Sequence, residues 1–327
     1  TLNPSSAASD VYKRQLTDEP STAFVGHLAL MRQALLDKKN IKQIIDEGEK
    51  ALKFEPKSKQ TLEVLLVAYA KIEDISNSLT HLNKMKNLKY INTNKYKNIS
   101  ADLNYLSALN YLDNNKNKIA INHLKEALKQ KPSHIPASIK LTELISGIGS
   151  KTKSINYLEK TFLLTSSPDV LIQLSKKWDL KTSGSRVSKA ISLLKKSSLD
   201  SIKNNLKIEV ACYAVKEEIW GEAEKILSGI PDEKLTKKGY QAFADIAGSQ
   251  NQPDKVKDFL EKAANAVDDF NYFCSSCGLK NHKWNLHCPS CESLSTIQWL
   301  KRTDLDKRDE LLQINSNNLL DKNLISY

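Results

Sequence analysis

Residues 101–133 read ADLNYLSALNYLDNNKNKIAINHLKEALKQKPS, and this stretch decides the fold. Apolar and small residues recur at three- and four-residue spacing on both sides of the polar break Asp113–Lys116, which is the pattern of two amphipathic helices and a turn. Ala108 and Tyr111 fall on the first helix, Ala120, Leu124 and Ala127 on the second, and Pro132 marks the end. Small residues let paired helices approach closely, large ones fill the space between hairpins, and proline cannot continue a helix.

This small–aromatic–small–large–small–Pro order, with a period of about 34 residues, resembles the tetratricopeptide pattern. Stepping along the period predicts further units. One begins near Val25 with Leu35, Ala51 and Pro56. Another begins at Lys59 with Leu66, Tyr69 and Leu82, and an excess of eight residues follows around Tyr90–Ser100. Beyond the decisive stretch, units carry Leu141, Ile145 and Leu158; Ala190 and Leu194; Ala211, Ala223 and Leu227; and Phe243, Ala244, Leu260 and Ala263. The expected fold is all-α: a tetratricopeptide-like α-solenoid of about seven helical hairpins over residues 24–268, with a small C-terminal rubredoxin-like or zinc-ribbon knuckle.

First helices line the concave face of such a stack. That maps Glu63, Val67, Lys71, Tyr105, Leu109, Asp113, Ile139, Glu143, Ile208 and Lys216 as candidate contacts for a protein partner in the groove. Composition agrees with a helical chain: 327 residues with only 10 Gly and 9 Pro. The formal charge of +11 is nearly all lysine. Lysine and asparagine richness together is typical of an AT-rich genome, so the charge by itself does not argue for a nucleic-acid partner. No stretch approaches the ~18–20 apolar residues of a transmembrane helix. No phosphate loop, glycine-rich dinucleotide fingerprint or nucleophile elbow is present, and the chain is not expected to be an enzyme.

The chemistry lies in residues 270–299. Cys274-Ser275-Ser276-Cys277 and Cys288-Pro289-Ser290-Cys291 are two CxxC pairs separated by ten residues. Four thiolates at this spacing can surround one Zn²⁺, or the single iron of a rubredoxin, each sulfur ~2.3 Å from the ion and the set within about 4 Å of one another. Two disulfides, or free thiols, are the alternative. Gly278 suits a left-handed turn closing the first pair. Glu292 holds the matching place in the second, which predicts a less regular half. His282 and His287 lie in the intervening loop but are not needed as ligands. The other histidines, His27, His81, His123 and His134, fall on separate repeats and are expected at the surface. Cys212, in the apolar run VACYAV, reads as a small buried hydrophobe.

The motif CSSCG, Trp284, CPSC and Thr296-x-x-Trp299, together with EEIWGEAEKIL around Trp220 and the Ser167-Pro168-Asp169 turn, resembles the alphaproteobacterial HemY-type membrane proteins. A related architecture is that of the lipopolysaccharide assembly protein B (YciM) type, which shares CPSC followed by STI. The resemblance implies a membrane-associated scaffold in haem biosynthesis or envelope assembly, in the bacterial inner membrane with repeats and knuckle facing the cytoplasm. It also implies support of the knuckle by Gly278, Trp284 and Trp299. The anchor would precede this stretch, which alone would be soluble. Residues 1–15 resemble a translated sequencing-adapter remnant, 16–23 a linker, and 300–327 a charged tail expected to be disordered. Two other functions use the same residues: iron-based electron transfer or haem handling, and a zinc-ribbon nucleic-acid binder. Against the latter, the knuckle carries only Lys280 and Lys283 as basic residues.

Overall fold

A computed structural model describes residues 13–37, 40–146 and 150–306. Among them, fourteen α-helices pair in chain order into seven hairpins. The chain divides into two compact units, residues 1–131 and 132–327.

The first unit holds α1 (Ala23–Leu36), α2 (Ile41–Phe54), α3 (Lys59–Lys71), α4 (Ile75–Asn87), α5 (Thr93–Asp113) and α6 (Asn117–Gln130). Polar caps start several of them: Asn40, Ser58, Asp74 and Asn92 each accept an amide from the helix they precede. Ala51, Ala108, Ala120, Leu124 and Ala127 are fully buried, as the repeat pattern requires. The eight-residue excess is not a loop. It lengthens α5 to 21 residues, against 13 or 14 in the other helices of this unit. Leu35 and Val25 are exposed rather than core; Met31 and Ala34 hold the buried positions, packed with Ile44 and Ala68. Residues 13–18 are helical and lie against α1, so that a Cβ on Gly26 would stand 2.9 Å from Thr17. The expected linker therefore begins inside a packed element.

The second unit holds α7 (Ile135–Ser146), α8 (Lys151–Thr165), α9 (Pro168–Lys177), α10 (Ser183–Leu194), α11 (Asp200–Lys216), α12 (Trp220–Ser228), α13 (Lys237–Ser249) and α14 (Pro253–Asn265). One continuous core runs from Leu158 and Phe162 through Leu174, Leu193, Leu206 and Ala211 to Leu227 and Ile246. Leu260 is exposed because α14 is an outer helix with no buried residue.

Four hairpin turns share one closure. Glu73, Asn115, Glu218 and Asn251 are left-handed, with φ between 55° and 60°. The next amide in each case reaches back five residues: Asp74 to Tyr69, Lys116 to Tyr111, Ile219 to Ala214 and Gln252 to Ala247, at 2.8–3.0 Å. These bonds satisfy the last carbonyls of the first helix and stop it.

A three-stranded antiparallel sheet, in the order β2–β1–β3, follows α14. Its strands are β1 (Asn271–Cys274), β2 (Lys280–Asn281) and β3 (Ile297–Leu300). Leu300 ends β3, and Leu305 on the helical turn after it is buried with Phe273 and Leu300. The sheet thus draws in residues assigned from sequence to the tail. The rest of the expected tail, residues 307–327, lies outside the described residues.

Candidate metal centre

Each cysteine pair forms a tight turn on a strand or bridge. Cys274 ends β1, Gly278 (φ 71°) closes the first turn, and the Gly278 amide donates to the Cys274 carbonyl at 2.9 Å. The second turn repeats this geometry: Glu292 (φ 55°) closes it and its amide donates to the Cys288 carbonyl at 2.9 Å. Further out, the Cys274 amide donates to Leu279 O and the Cys288 amide to Ser293 O. The expected irregularity of the second half is therefore absent. Glutamate adopts the left-handed conformation because the surrounding hydrogen bonds impose it.

The two turns face each other and bring four sulfurs together. Cys274 Sγ lies 3.7 Å from Cys291 Sγ, and Cys277 Sγ 3.7 Å from Cys288 Sγ. All four lie within 4.8 Å of one another. An S–S bond needs ~2.05 Å, so these are free thiols and not two disulfides. The edge of a tetrahedron with ~2.3 Å Zn–S bonds matches the two short distances. This set can hold one metal ion. Cys274 and Cys288 are buried, whereas Cys277 and Cys291 reach the surface.

Neighbouring donors favour thiolates. Burial would raise Cys274, but the Thr296 hydroxyl, 3.2 Å from its sulfur, and the amides of Cys277 and Ser276 hold the thiol below its ordinary value. The Ser293 hydroxyl and amide lower Cys291 to about 6. Cys277 takes the Leu279 amide, which favours its thiolate. Burial and the sulfurs of Cys291, Cys274 and Cys288 outweigh that amide and push it up to about 12. A cation held among the sulfurs would offset the repulsion that disfavours the Cys277 thiolate. His282 and His287 stand outside the cluster.

Two tryptophans seat the knuckle on helices far away in sequence. Trp299 stacks on Phe270 at 6.4 Å, meets Tyr272 edge-on at 5.0 Å, and donates its indole N–H to Thr165 O at 2.8 Å. Thr165 is the last residue of α8, whose terminal carbonyls have no partner within the helix. Trp284 lies 5.4 Å from the His134 ring, at the start of α7. The knuckle therefore packs on the fourth hairpin. Gly278 also carries the contact to Arg302, which donates to its carbonyl at 3.2 Å. Arg302, Thr165 and His134 were not legible as site residues, because each contacts the knuckle only through the tertiary fold, whereas Ser293 lies inside the knuckle beside Cys291. Thr296 was visible within the motif but not as a donor to sulfur.

The histidines correct the sequence reading. His27, His81 and His134 are buried, and His123 is partly so. Tyr69 stacks on His81 at 5.4 Å and Tyr111 on His123 at 5.2 Å, each pair bridging the two helices of one hairpin. His134 caps α7 by accepting the Ala137 amide through Nδ1 at 3.1 Å. Cys212 is partly buried beside Lys238 O, and burial pushes its thiol up to about 12, which disfavours the thiolate.

The groove candidates fall into both units. Glu63, Lys71 and Asp113 are exposed in the first unit, where Tyr105 is partly buried. Glu143 pairs with Lys140 at 3.5 Å in the second, and Lys216 is exposed. Ile208 is not a groove residue: it is 1% exposed in the core, against Leu235 and Gly239. Among the described residues no helix is long and apolar enough to cross a membrane.

No known family profile matches the chain, and no curated protein matches it. The HemY-type resemblance rests on its motifs alone. Solved structures similar to the chain include the MamA protein, at 17% identity over 64% of this chain and 98% of that one, with a TM-score of 0.34. Pseudomonas aeruginosa PilF shows 14% identity over 71% and 88%, TM-score 0.27. The TPR domain of P58(IPK) shows 18% over 91% and 80%, TM-score 0.24. These likenesses concern the helical-hairpin architecture and nothing further.

Proposed function

We propose that this protein is a non-catalytic scaffold whose hairpins hold a protein partner and whose four-cysteine knuckle is a structural zinc site. One observation carries the reading. The sulfurs converge on one point, and the knuckle built around them is fixed by Trp299 to the end of α8. Thr296 and Ser293 place their hydroxyls 3.2 and 3.3 Å from the sulfurs of Cys274 and Cys291. A stack of hairpins supplies extended helix faces for a polypeptide. Glu63, Lys71, Tyr105 and Asp113 in the first unit, and Glu143 and Lys216 in the second, are the proposed contacts. Gly278, Trp284 and Trp299 are the proposed supports of the knuckle. Membrane association, and a place in haem biosynthesis or envelope assembly, are supported by the HemY-type motifs.

Elemental analysis of reductively purified protein tests the metal. One zinc per chain and no visible absorption is the expected result. Stoichiometric iron with thiolate charge-transfer bands would move the assignment to electron transfer. For the scaffold, crosslinking in cells followed by mass spectrometry should yield a specific protein whose capture is lost in a Glu63→Lys, Tyr105→Ala double variant. Capture unaffected by that variant would reject the assigned face.

A further inference from the structure

A second cavity lies away from the cysteines, between the repeats of the second unit and the segment that follows β3. Its volume is about 510 Å³, within the ~300–1,000 Å³ of small-ligand clefts. Leu164, Leu199, Ile202, Val267 and Phe270 supply its apolar wall.

Three features of its lining can meet a polar ligand. Asn205 is 7% exposed and lines the cavity, yet its carboxamide has no hydrogen-bond partner among the described residues. Lys301 is partly buried with its ammonium 5.5 Å from the centre of the Phe270 ring, and no carboxylate of the described residues lies within ion-pair distance. The nearby acids are engaged elsewhere. Asp268 pairs with Lys237 at 3.0 Å, Asp269 accepts the Lys238 amide at 3.1 Å, and Asp304 accepts the Lys301 amide at 3.3 Å. Finally, α11 begins at this wall with Leu199 in the N-cap position, which offers no side-chain acceptor to the first amides. An uncapped helix start, an ammonium and a carboxamide together present N–H donors and positive charge to the same space.

The lining also holds Lys234, Glu233 and Asp304, so with Lys301 its formal charge sums to zero. A doubly charged phosphate would face two carboxylates with little net attraction. A single carboxylate, attached to an apolar group, fits both the charge and the wall. We propose that this cavity binds the free C-terminal carboxylate of a partner polypeptide with an apolar last side chain, with Lys301 as its cation and Asn205 as a hydrogen-bond donor. The inference rests on the scaffold reading and gives one recognition chemistry for its partner.

The test uses the full chain and a dye-labelled pool of tetrapeptides, randomised except for leucine at the last position, as free acids and as C-terminal amides. Fluorescence anisotropy should show the acid pool binding about tenfold or more tightly than the amide pool. Lys301→Met should reduce acid binding by a similar factor with unchanged helical circular dichroism, and Asn205→Leu should do the same if it folds. The Glu63→Lys, Tyr105→Ala variant should bind the pool as the parent does. Equal binding of acids and amides, no binding of either, or unaltered binding by Lys301→Met would overturn the proposal. So would acetate competing as well as the peptides, which would indicate a site for small carboxylates. Failure of the peptide pool with crosslinked partner intact sinks the cavity assignment alone; absence of any specific crosslinked partner sinks the scaffold reading.

Discussion

Glu292 shows how one residue can be held against its own preference. A left-handed backbone costs a non-glycine residue roughly 1–2 kcal/mol, and glycine gives back part of that gain through greater freedom in the unfolded chain. Glu292→Gly should therefore relieve the backbone strain of the second turn and tighten metal retention about two- to fivefold in chelator competition. Weaker retention would mean that the glutamate side chain does something the backbone geometry does not reveal. Glu217 is constrained differently. The Arg186 guanidinium donates to it through Nε at 3.2 Å and through Nη2, and the Tyr213 hydroxyl donates at 2.8 Å. Arg186 holds its carboxyl well below the usual range, at about 2. A folded-state pKa below the unfolded one contributes stability that is complete above the ordinary carboxylate range and lost as pH falls toward 2. In Glu217→Gln the dependence of stability on pH between about 4.5 and 2 should be shallower than in the parent. Identical acid-unfolding curves would show that the ion pair contributes nothing.

At the scale of the element, the hairpin is set by small residues where helices cross. Ala120 is fully buried in α6, opposite the long helix α5, while the Lys129 side chain is 75% exposed on the far face. Ala120→Trp should lower stability by about 1–3 kcal/mol or more, since overpacking forces the helices apart. Lys129→Ala should change it by less than about 0.5 kcal/mol. Equal melting temperatures for the two variants would reject the register of the repeat. This much was readable from sequence, because the period of small and large residues reports directly on the crossing surface. The length of α5 was not. The chain between Tyr90 and Ser100 carries no periodicity that separates a loop from two extra helical turns. Asn92 decides the matter by capping the Lys95 amide at 2.8 Å.

Across the whole molecule, two kinds of stability coexist. The repeats are held by buried apolar side chains. The knuckle has Phe273, Leu300 and Leu305 as one small cluster and Cys274, Cys288 and Ile297 as another. A segment of that size has too little core to fold alone, and an ion held by the four thiols would supply most of its folding energy. Chelation, or Cys277→Ser, should make residues 271–300 protease-sensitive while leaving the helical circular dichroism nearly unchanged. It should also free the Thr165 carbonyl and uncover Phe270, so the second unit should melt at a lower temperature than in the metal-loaded protein. A metal-free protein with an intact, protease-resistant knuckle would show that docking on α8, rather than the ion, builds it.

The sequence by itself determined the helical hairpins, their number and the pairing of four cysteines on two turns. Those features depend on local spacing: three and four residues for a helix face, about 34 for a repeat, two intervening residues for a pair of thiols on one turn. Only the tertiary structure decided where the knuckle sits, that Tyr69 and Tyr111 stack on the histidines of the paired helix, and that Asn205 and Lys301 share a cavity. Trp299 and Thr165 are 134 residues apart in sequence. No local pattern encodes such a contact, because it depends on how the intervening helices pack and which carbonyl they leave exposed.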